Sequence, residues 1–213
     1  MNRFKHALLI VLALLFSLNS SADNRQLFNG KDLSGWSHVG FGEFSVANGL
    51  LHAVGGIGVL WFDGEKIGNA IIRVVYKVNS QEDNSGVFVR IPDPPEDPWM
   101  PVHKGLEIQI NGAGKTEYHR TGSIYTFTKA KSQPTKVGEW NTMEITLDDA
   151  NTVVHINGIF VTEYTDGDTV PPKDNDGDPD RGSRPITGYI GLQNHPQGKT
   201  VFFKEISVHP INN

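Results

Sequence analysis

Three short stretches of the chain carry the polar side chains best suited to chemistry. Arg90 lies in the first, Glu107 and Gln109 alternate in the second, and Gln193 and His195 alternate in the third. A spacing of two places both members of a pair on one face of a β-strand. If the three strands are neighbours, a guanidinium, a carboxylate, an imidazole and two amides converge on one sheet face. Such a face could hydrogen-bond a polar ligand such as a sugar.

Simpler structural roles remain open for the same residues. Glu107 and Arg90 could form a cross-strand ion pair on a solvated face. Gln109 and Gln193 could be outward-facing polar positions of a sheet, and His195 could be structural.

The stretch after residue 106 reads Glu-Ile-Gln-Ile-Asn, which supplies one carboxylate and two amides. An ordinary glycosidase flanks the scissile bond with two carboxylates, roughly 5 Å apart in retaining enzymes and 6.5–9.5 Å apart in inverting enzymes. The pattern therefore argues against double-displacement hydrolysis of an unmodified sugar.

The segments that must position these residues are predicted to be β-strands. Several alternate apolar and polar residues with period two, as half-buried strands do. The predicted strands are residues 70–78, 86–91, 106–110, 142–147, 152–156, 187–193 and 201–208. Asn157-Gly158 predicts a hairpin turn, because both residues tolerate positive φ. Many short strands joined by such turns indicate an all-β sandwich or barrel. Residues 92–104 and 165–184 are predicted to be loop-like inserts.

Composition limits the partners of the protein. The chain has no cysteine, which excludes disulfides and a lipid-modified N-terminus. Its formal charge is −5 and it has no basic run, so nucleic acid binding is not expected. No Gly-rich dinucleotide fingerprint is present, so the chain is not expected to be an oxidoreductase of the dinucleotide-binding class.

The N-terminal segment resembles a secretory signal peptide. Arg3 and Lys5 precede an apolar run over residues 7–18, and Ser20-Ser21-Ala22 offers a cleavage site. The apolar run is shorter than the roughly 20 residues that span a bilayer. We therefore expect a signal peptide over residues 1–22, one domain over residues 23–213, no membrane anchor after cleavage, and a secreted or periplasmic location in a bacterium.

Four sequence blocks resemble the 3-keto-disaccharide hydrolase domain family. They are residues 27–36, 84–90, 105–110 and 188–195, the last followed by residues 201–208, in the family's order. The resemblance implies a concanavalin A-like jelly-roll β-sandwich of two antiparallel sheets that binds sugar. It also implies secreted proteins that cleave glycosides already oxidised to a ketone at C3. The third block departs from the pattern at Asn111, where relatives often carry aspartate.

A 3-keto sugar needs less catalytic help than an unmodified one. The ketone acidifies the C2 proton, so one base can remove it, the C1 substituent can leave, and water can add afterwards. Such chemistry requires a base with a near-neutral pKa and a group that stabilises the enolate oxygen. The hypothesis is that Glu107 or His195 is the base and that Arg90 or a bound metal stabilises the enolate. The ketone itself must be made by a different protein.

Four residues are predicted to bind the carbohydrate substrate: Gln109, Gln193, Tyr125 and Trp99. Tyr125 resembles a family position, although it could equally pack at a sheet edge. Trp99 lies in the proline-rich insert and is predicted to contact a sugar at the rim of the site.

Asp174, Asp176 and Asp178 alternate in an acidic loop and are weak candidates for a site for calcium or a similar divalent metal. The loop does not match an EF-hand, because Pro179 stands where glycine is needed. A solvated acidic loop is the simpler interpretation. A non-catalytic, lectin-like carbohydrate-binding module is the alternative to the enzyme, since the same fold hosts both.

Overall fold

The computed structural model describes residues 24–196 and 200–211. The predicted signal peptide, residues 1–22, lies outside the described residues. The described chain contains strands and one short helix, which begins at Met100 and ends at Lys104 (α1). Of the described residues, none belongs to a helix long and apolar enough to cross a membrane.

The larger sheet has eight strands in the order β11-β10-β9-β6-β13-β4-β3, with β1 paired to β13. Its strands are β1 (Arg25–Gln26), β3 (Glu43–Ala47), β4 (Leu50–Val54), β6 (Ala70–Lys77), β9 (Asn141–Asp148), β10 (Asn151–Ile156), β11 (Ile159–Thr165) and β13 (Val201–Pro210). All pairings are antiparallel.

The smaller sheet has five antiparallel strands in the order β2-β5-β12-β7-β8. Its strands are β2 (Trp36–Gly40), β5 (Gly58–Phe62), β7 (Asn84–Ile91), β8 (Leu106–Asn111) and β12 (Tyr189–Asn194). The two sheets form the concanavalin A-like jelly-roll sandwich that the sequence predicts.

The main core lies between the sheets and follows from the alternation of the strands. Met143, Ile145 and Leu147 of β9 are fully buried in it. Ile108 and Ile110 of β8 are also fully buried there, which confirms the predicted alternation on both strands. Glu107 and Gln109, which alternate with these isoleucines on β8, therefore face the outer side of the small sheet.

A second, smaller cluster covers part of that outer side. Val59, Trp61, Phe88 and Ile91 of the small sheet pack there with Val102 of α1. The insert over residues 92–104, predicted to be loop-like, therefore contributes a short helix that packs on β7 and β8.

The predicted hairpin turn is confirmed. Asn157 and Gly158 have φ angles of 53° and 75° and join β10 to β11. Positive φ at both central positions is the geometry of a type I′ turn, which matches the twist of the strands it joins.

Candidate functional site

A cavity of about 760 Å³ opens on the outer face of the small sheet. Strands β7, β8 and β12 supply its floor, and parts of segments 57–58, 98–102, 113–119 and 175–177 supply its walls. The structure brings most of the predicted site residues together here: Glu107, Gln109, Tyr125, Gln193, His195 and Trp99.

Glu107 lies on the cavity floor, with only 3% of its surface exposed. Gln193 hydrogen-bonds its carboxyl group, while Oε1 has no hydrogen-bond partner among the described residues. Burial disfavours the charged form more than this hydrogen bond favours it, and raises the pKa of Glu107 to about 8. A carboxyl group with this pKa exchanges protons near neutral pH, as a general base must.

Gly86 on β7 makes room for the Glu107 carboxyl group. Gly86 lies opposite Gln109 in the β7–β8 pair, two residues before Phe88, which lies opposite Glu107. A Cβ atom at residue 86 would lie 2.5 Å from Glu107 Oε1, well inside contact distance. Because no side chain stands there, the carboxyl group can reach across β7 toward Gln193 on β12.

Two amide side chains add hydrogen-bond acceptors to the cavity. Gln193 Oε1 and Asn84 Oδ1 are buried and, within the described part of the chain, have no hydrogen-bond partner. Gln109 differs, because its Oε1 accepts a hydrogen bond from the Ile110 backbone N–H at 3.0 Å. Buried oxygen atoms normally have donors, so Gln193, Asn84 and Glu107 are suited to bind hydroxyl groups of a ligand.

Tyr125 is held beside Glu107. Its backbone N–H donates to the Glu107 carbonyl oxygen at 2.8 Å. Burial, and then the nearby negative charges of Glu107 and Asp178, raise the pKa of Tyr125 to about 12. The phenol therefore stays protonated at neutral pH and can donate a hydrogen bond. His119 packs edge-on against the Tyr125 ring, with the ring centroids 5.3 Å apart.

His195 follows the end of β12 and lines the cavity two residues after Gln193. Burial lowers its pKa below the usual value, because the charged imidazolium is disfavoured away from water. The imidazole is therefore neutral at neutral pH and can accept a proton. Both predicted bases, Glu107 and His195, lie in the same cavity.

The structure places Arg90 away from this cavity. The register between β7 and β12 shifts at a bulge, and Arg90 within it has a φ angle of 58°. A bulge adds one residue to a strand and redirects the side chains beyond it. Arg90 is only 2% exposed, and its guanidinium group donates to backbone carbonyl oxygens of Asp149, Asn151 and Pro185. The predicted role of Arg90 in stabilising an enolate does not fit this position.

The acidic loop does not gather its carboxylates around a metal site. Asp174 and Asp176 are exposed, whereas Asp178 is buried. Asp178 accepts hydrogen bonds from the Asp174 backbone N–H at 2.8 Å and from the Asn175 amide at 3.3 Å. In residues 24–196 and 200–211, no group of three or more His, Cys, Asp or Glu side chains could hold a metal ion. These residues do not fit the calcium site considered from the sequence.

The sequence profile of the 3-keto-α-glucoside-1,2-lyase-like domain family matches residues 23–209. The chain belongs to this family. The match confirms the resemblance seen in the four sequence blocks, and it spans both sheets of the sandwich.

Several solved structures resemble this chain. A candidate glycosyl hydrolase from Parabacteroides distasonis is 25% identical, with 89% of this chain and 100% of that chain covered and a TM-score of 0.69. A Bacillus subtilis protein of unknown function with a galectin-like fold is 16% identical, with coverage of 88% and 94% and a TM-score of 0.61. The carbohydrate-binding module CBM66 from Bacillus subtilis is 11% identical, with coverage of 81% and 93% and a TM-score of 0.55. A search of curated proteins finds no significant match.

Asn84 and His119 are two of the polar residues that line the cavity and that the sequence did not predict. Asn84 opens β7 and lies opposite Asn111 of β8, so it shares the face of Gln109. Asn84 begins the second of the four sequence blocks, and this position was the signal that could have identified it. His119 lies in a loop with no periodic pattern, and only the assembled structure places it in the cavity lining and against Tyr125.

Proposed function

We propose that the protein cleaves 3-keto-glycosides, by elimination across C1–C2 followed by addition of water, with net hydrolysis. The observation that carries the proposal is Glu107, a buried carboxyl group with a raised pKa and an unpartnered Oε1 that faces a polar cavity. Membership of the 3-keto-α-glucoside-1,2-lyase-like family supports the ketone at C3. The glycosyl hydrolase description of the Parabacteroides relative supports a carbohydrate-active enzyme.

Glu107 is the proposed base at C2. Its carboxylate removes the C2 proton, and the electron pair of that C–H bond moves to form an enolate on the C3 oxygen. The enolate then collapses, the C1–O bond breaks, and the leaving oxygen takes a proton. Water adds to C1 of the resulting enone, and a proton returns to C2. A single base is sufficient because the ketone has already weakened the C2–H bond.

Tyr125 is the proposed donor to the enolate oxygen, in place of Arg90. Its side chain lines the same cavity as Glu107 and its phenol is protonated at neutral pH, so it can donate a hydrogen bond as negative charge develops. Gln193 and Asn84 orient the ring by accepting hydrogen bonds from its hydroxyl groups. His195, neutral and in the same cavity, remains the alternative base.

A lectin-like carbohydrate-binding module is the second candidate function. Asn111, which stands where related sequences often have aspartate, lines the cavity and adds no second carboxylate to the floor. The likeness to CBM66 concerns the fold and fits such a module equally well.

The test is product formation by the purified protein on a 3-keto-glucoside beside the unoxidised glucoside, with and without chelator. We expect cleavage of the keto sugar alone, and loss of at least about a hundredfold in kcat in Glu107→Gln, since a general base contributes 10²–10⁴-fold. Full activity of Glu107→Gln, with loss in His195→Ala, would move the base to His195. Binding of either sugar without cleavage would favour the lectin-like module.

We also propose that the protein is secreted or periplasmic after removal of residues 1–22. The basic start, the apolar run and the small residues before residue 23 support this proposal. N-terminal sequencing of the exported protein should begin at Asp23. A mature protein that still begins at Met1 would refute cleavage.

A further inference from the structure

A group of aromatic and basic side chains lies on the outer face of the large sheet, on the opposite side of the sandwich from the cavity. Phe202 of β13 lies opposite Lys77 of β6. Trp140 directly precedes β9, and the pairing of β9 with β6 puts it beside Lys77. The residues on either side of Lys77 are buried in the core, so Lys77 itself points outward. Together with Lys204, these residues form a surface that we call the outer patch.

A bulge in β13 brings the second lysine to the outer patch. The register between β13 and β6 shifts between Phe203 and Glu205, so Lys204 is the extra residue. A bulge changes the direction in which a side chain points. The Lys204 ammonium group lies 4.7 Å from the centroid of the Trp140 ring, and the Lys77 ammonium group lies 5.3 Å from the same ring. Two positive charges are therefore held on one indole.

These two positive charges are not neutralised by carboxylates. Within residues 24–196 and 200–211, neither Lys77 nor Lys204 forms an ion pair. Glu205 and Glu139, which adjoin Lys204 and Trp140 in the chain, pair with other basic side chains at 3.1 and 3.6 Å. An aromatic ring attracts a cation but has no net charge. Local positive charge on a protein with a formal charge of −5 indicates a surface for an anionic ligand.

The outer patch has the shape of a row that crosses several strands. Trp140, Lys77 and Phe202 follow one another on neighbouring strands. His52 of β4 continues the row opposite Phe202, with the two ring centroids 4.7 Å apart. With strands about 4.8 Å apart, the row is roughly 14 Å long, which is more than one sugar ring covers. Trp140 and Phe202 are both partly buried, so they offer apolar surface beside the charges and do not protrude as membrane-inserted rings do.

We propose that the outer patch binds an acidic polysaccharide, a chain of sugar rings that carry carboxylate groups. The carboxylates pair with the ammonium groups of Lys77 and Lys204, and the C–H faces of the rings pack against Trp140 and Phe202. Because the patch and the cavity lie on opposite faces of the sandwich, a polymer bound at the patch leaves the cavity open to its own substrate. Binding at the patch does not depend on the proposed reaction.

The probe is carboxymethyl dextran, and plain dextran has the same sugar backbone without the charges. The parent protein should bind the carboxymethyl form and not plain dextran, and added salt should weaken this binding because it screens exposed charges. The double variant Lys77→Gln/Lys204→Gln should bind about 4- to 20-fold more weakly, since each exposed ion pair contributes about 2- to 5-fold. Trp140→Leu keeps both lysines and should weaken binding by about 2- to 10-fold, through loss of the ring that holds them.

Lys131→Gln is the matched control. Lys131 also lies over an aromatic ring, that of Phe160, at 5.1 Å from its centroid, but it pairs with the Glu163 carboxylate at 3.6 Å. Its loss should therefore change the dissociation constant by less than about twofold. A loss as large as that of the lysine double variant would show general attraction of a polyanion and would overturn the patch.

Further ligands separate the acidic polysaccharide from other partners. Equally tight binding of plain dextran, of polyglutamate or of vesicles of anionic phospholipid would overturn the proposal, since these lack the charge, the sugar rings or both features of the chain. The lysine double variant should still cleave a 3-keto-glucoside at the parent rate, because neither lysine lines the cavity. If the parent cleaves no keto sugar, the proposed function fails, and the dextran measurements still decide whether the patch binds.

Discussion

At the scale of single residues, Glu107 shows how a fold prepares a group for chemistry. The side chain reaches its position because Gly86 has no Cβ atom, and it is left with one unpartnered oxygen. Placing a carboxyl group in such surroundings costs stability whenever it is charged. The folded-state pKa of about 8 lies above the ordinary value of 4.5, so the folded protein holds a proton that the unfolded chain releases.

The first prediction concerns the pH dependence of stability. Stabilisation by protonated Glu107 is complete below pH 4.5 and is lost as the pH rises through about 8. Glu107→Gln, which stays neutral, should therefore gain stability relative to the parent across this window, by on the order of 4 kcal/mol at pH 9. Urea unfolding at pH 5 and pH 9 measures the difference. The exposed Glu117→Gln is the control and should follow the parent, and parallel curves for Glu107→Gln and the parent would contradict the raised pKa.

The second prediction concerns Gly86. In Gly86→Ala the new methyl group meets Glu107 Oε1 at 2.5 Å, so the carboxyl group must move. We expect kcat to fall at least tenfold. The pH profile of kcat/KM should also shift, because the pKa of Glu107, about 8 in the parent, depends on the position of the carboxyl group. A purely structural role would lower stability without moving the pH profile. The control is Gly182→Ala, because an added Cβ atom there meets nothing within 4 Å and its φ is not positive.

At the scale of secondary-structure elements, β7 serves both sides of the small sheet. Asn84 and Gly86 shape the cavity floor, while the bulge turns Arg90 toward the loop joining β9 and β10 of the large sheet. Through the bulge, one strand forms part of the site and also ties the two sheets together. The loop over residues 165–184 is tied to the end of α1 in a similar way, since Arg184 donates to the carbonyl oxygens of His103 at 3.3 Å and Gly105 at 2.7 Å.

The third prediction separates a structural Arg90 from a catalytic one. Arg90→Lys loses several hydrogen bonds to carbonyl oxygens and leaves buried acceptors unpaired, so unfolding free energy should fall by about 2–4 kcal/mol. The folded variant should keep kcat within about threefold, because Arg90 does not line the cavity. Arg73→Lys is the matched control: Arg73 is partly exposed and pairs with Glu144 and Glu205, so its loss should cost less than about 1 kcal/mol. A hundredfold drop in kcat for stably folded Arg90→Lys would restore the catalytic role.

The fourth prediction concerns calcium and the acidic loop. The Asp178 carboxylate is occupied by N–H groups of its own loop, and Asp174 and Asp176 are exposed. We expect excess calcium or a chelator to change the melting temperature by less than about 1 °C, since a ligand of the folded state would raise it. Asp178→Asn should instead lower the melting temperature. A calcium-dependent rise that Asp178→Asn abolishes would show that the loop binds the ion.

At the scale of the whole molecule, the large sheet is the support on which the small sheet presents its site. The core between them is apolar and closely packed. Ile108 and Ile110 of β8 are buried in it, and their packing fixes the position of the strand and the outward direction of Glu107 and Gln109. The outer face is then free to carry polar groups, and α1 and the loops wall it into a cavity. A cavity-creating substitution in the core beneath the small sheet should therefore disturb the site more than one in the large sheet.

The fifth prediction compares two buried isoleucines. Ile108→Ala under the cavity floor and Ile145→Ala in the large sheet each remove a fully buried side chain. Both should lower the free energy of unfolding by about 2–5 kcal/mol. Ile108→Ala should also weaken substrate binding or turnover in the folded protein, because its neighbours Glu107 and Gln109 line the cavity, whereas Ile145→Ala should not. Equal activity of both folded variants would show that the packing of Ile108 does not affect the site.

The sequence by itself determined the strands and much of the site, because alternation and turn chemistry are local. It predicted the outward direction of Glu107 and Gln109, the turn at Asn157-Gly158, and the family through blocks spread along the chain. Gln193 and His195 followed from the same period of two.

Only the tertiary structure decided what depends on neighbours distant in the sequence. The bulge that removes Arg90 from the site is set by the pairing of β7 with β12. The raised pKa of Glu107 arises from burial by several elements, and the role of Gly86 appears only when β8 lies beside β7. Desolvation and close contact are properties of the assembled packing, and a local pattern of residues cannot contain them.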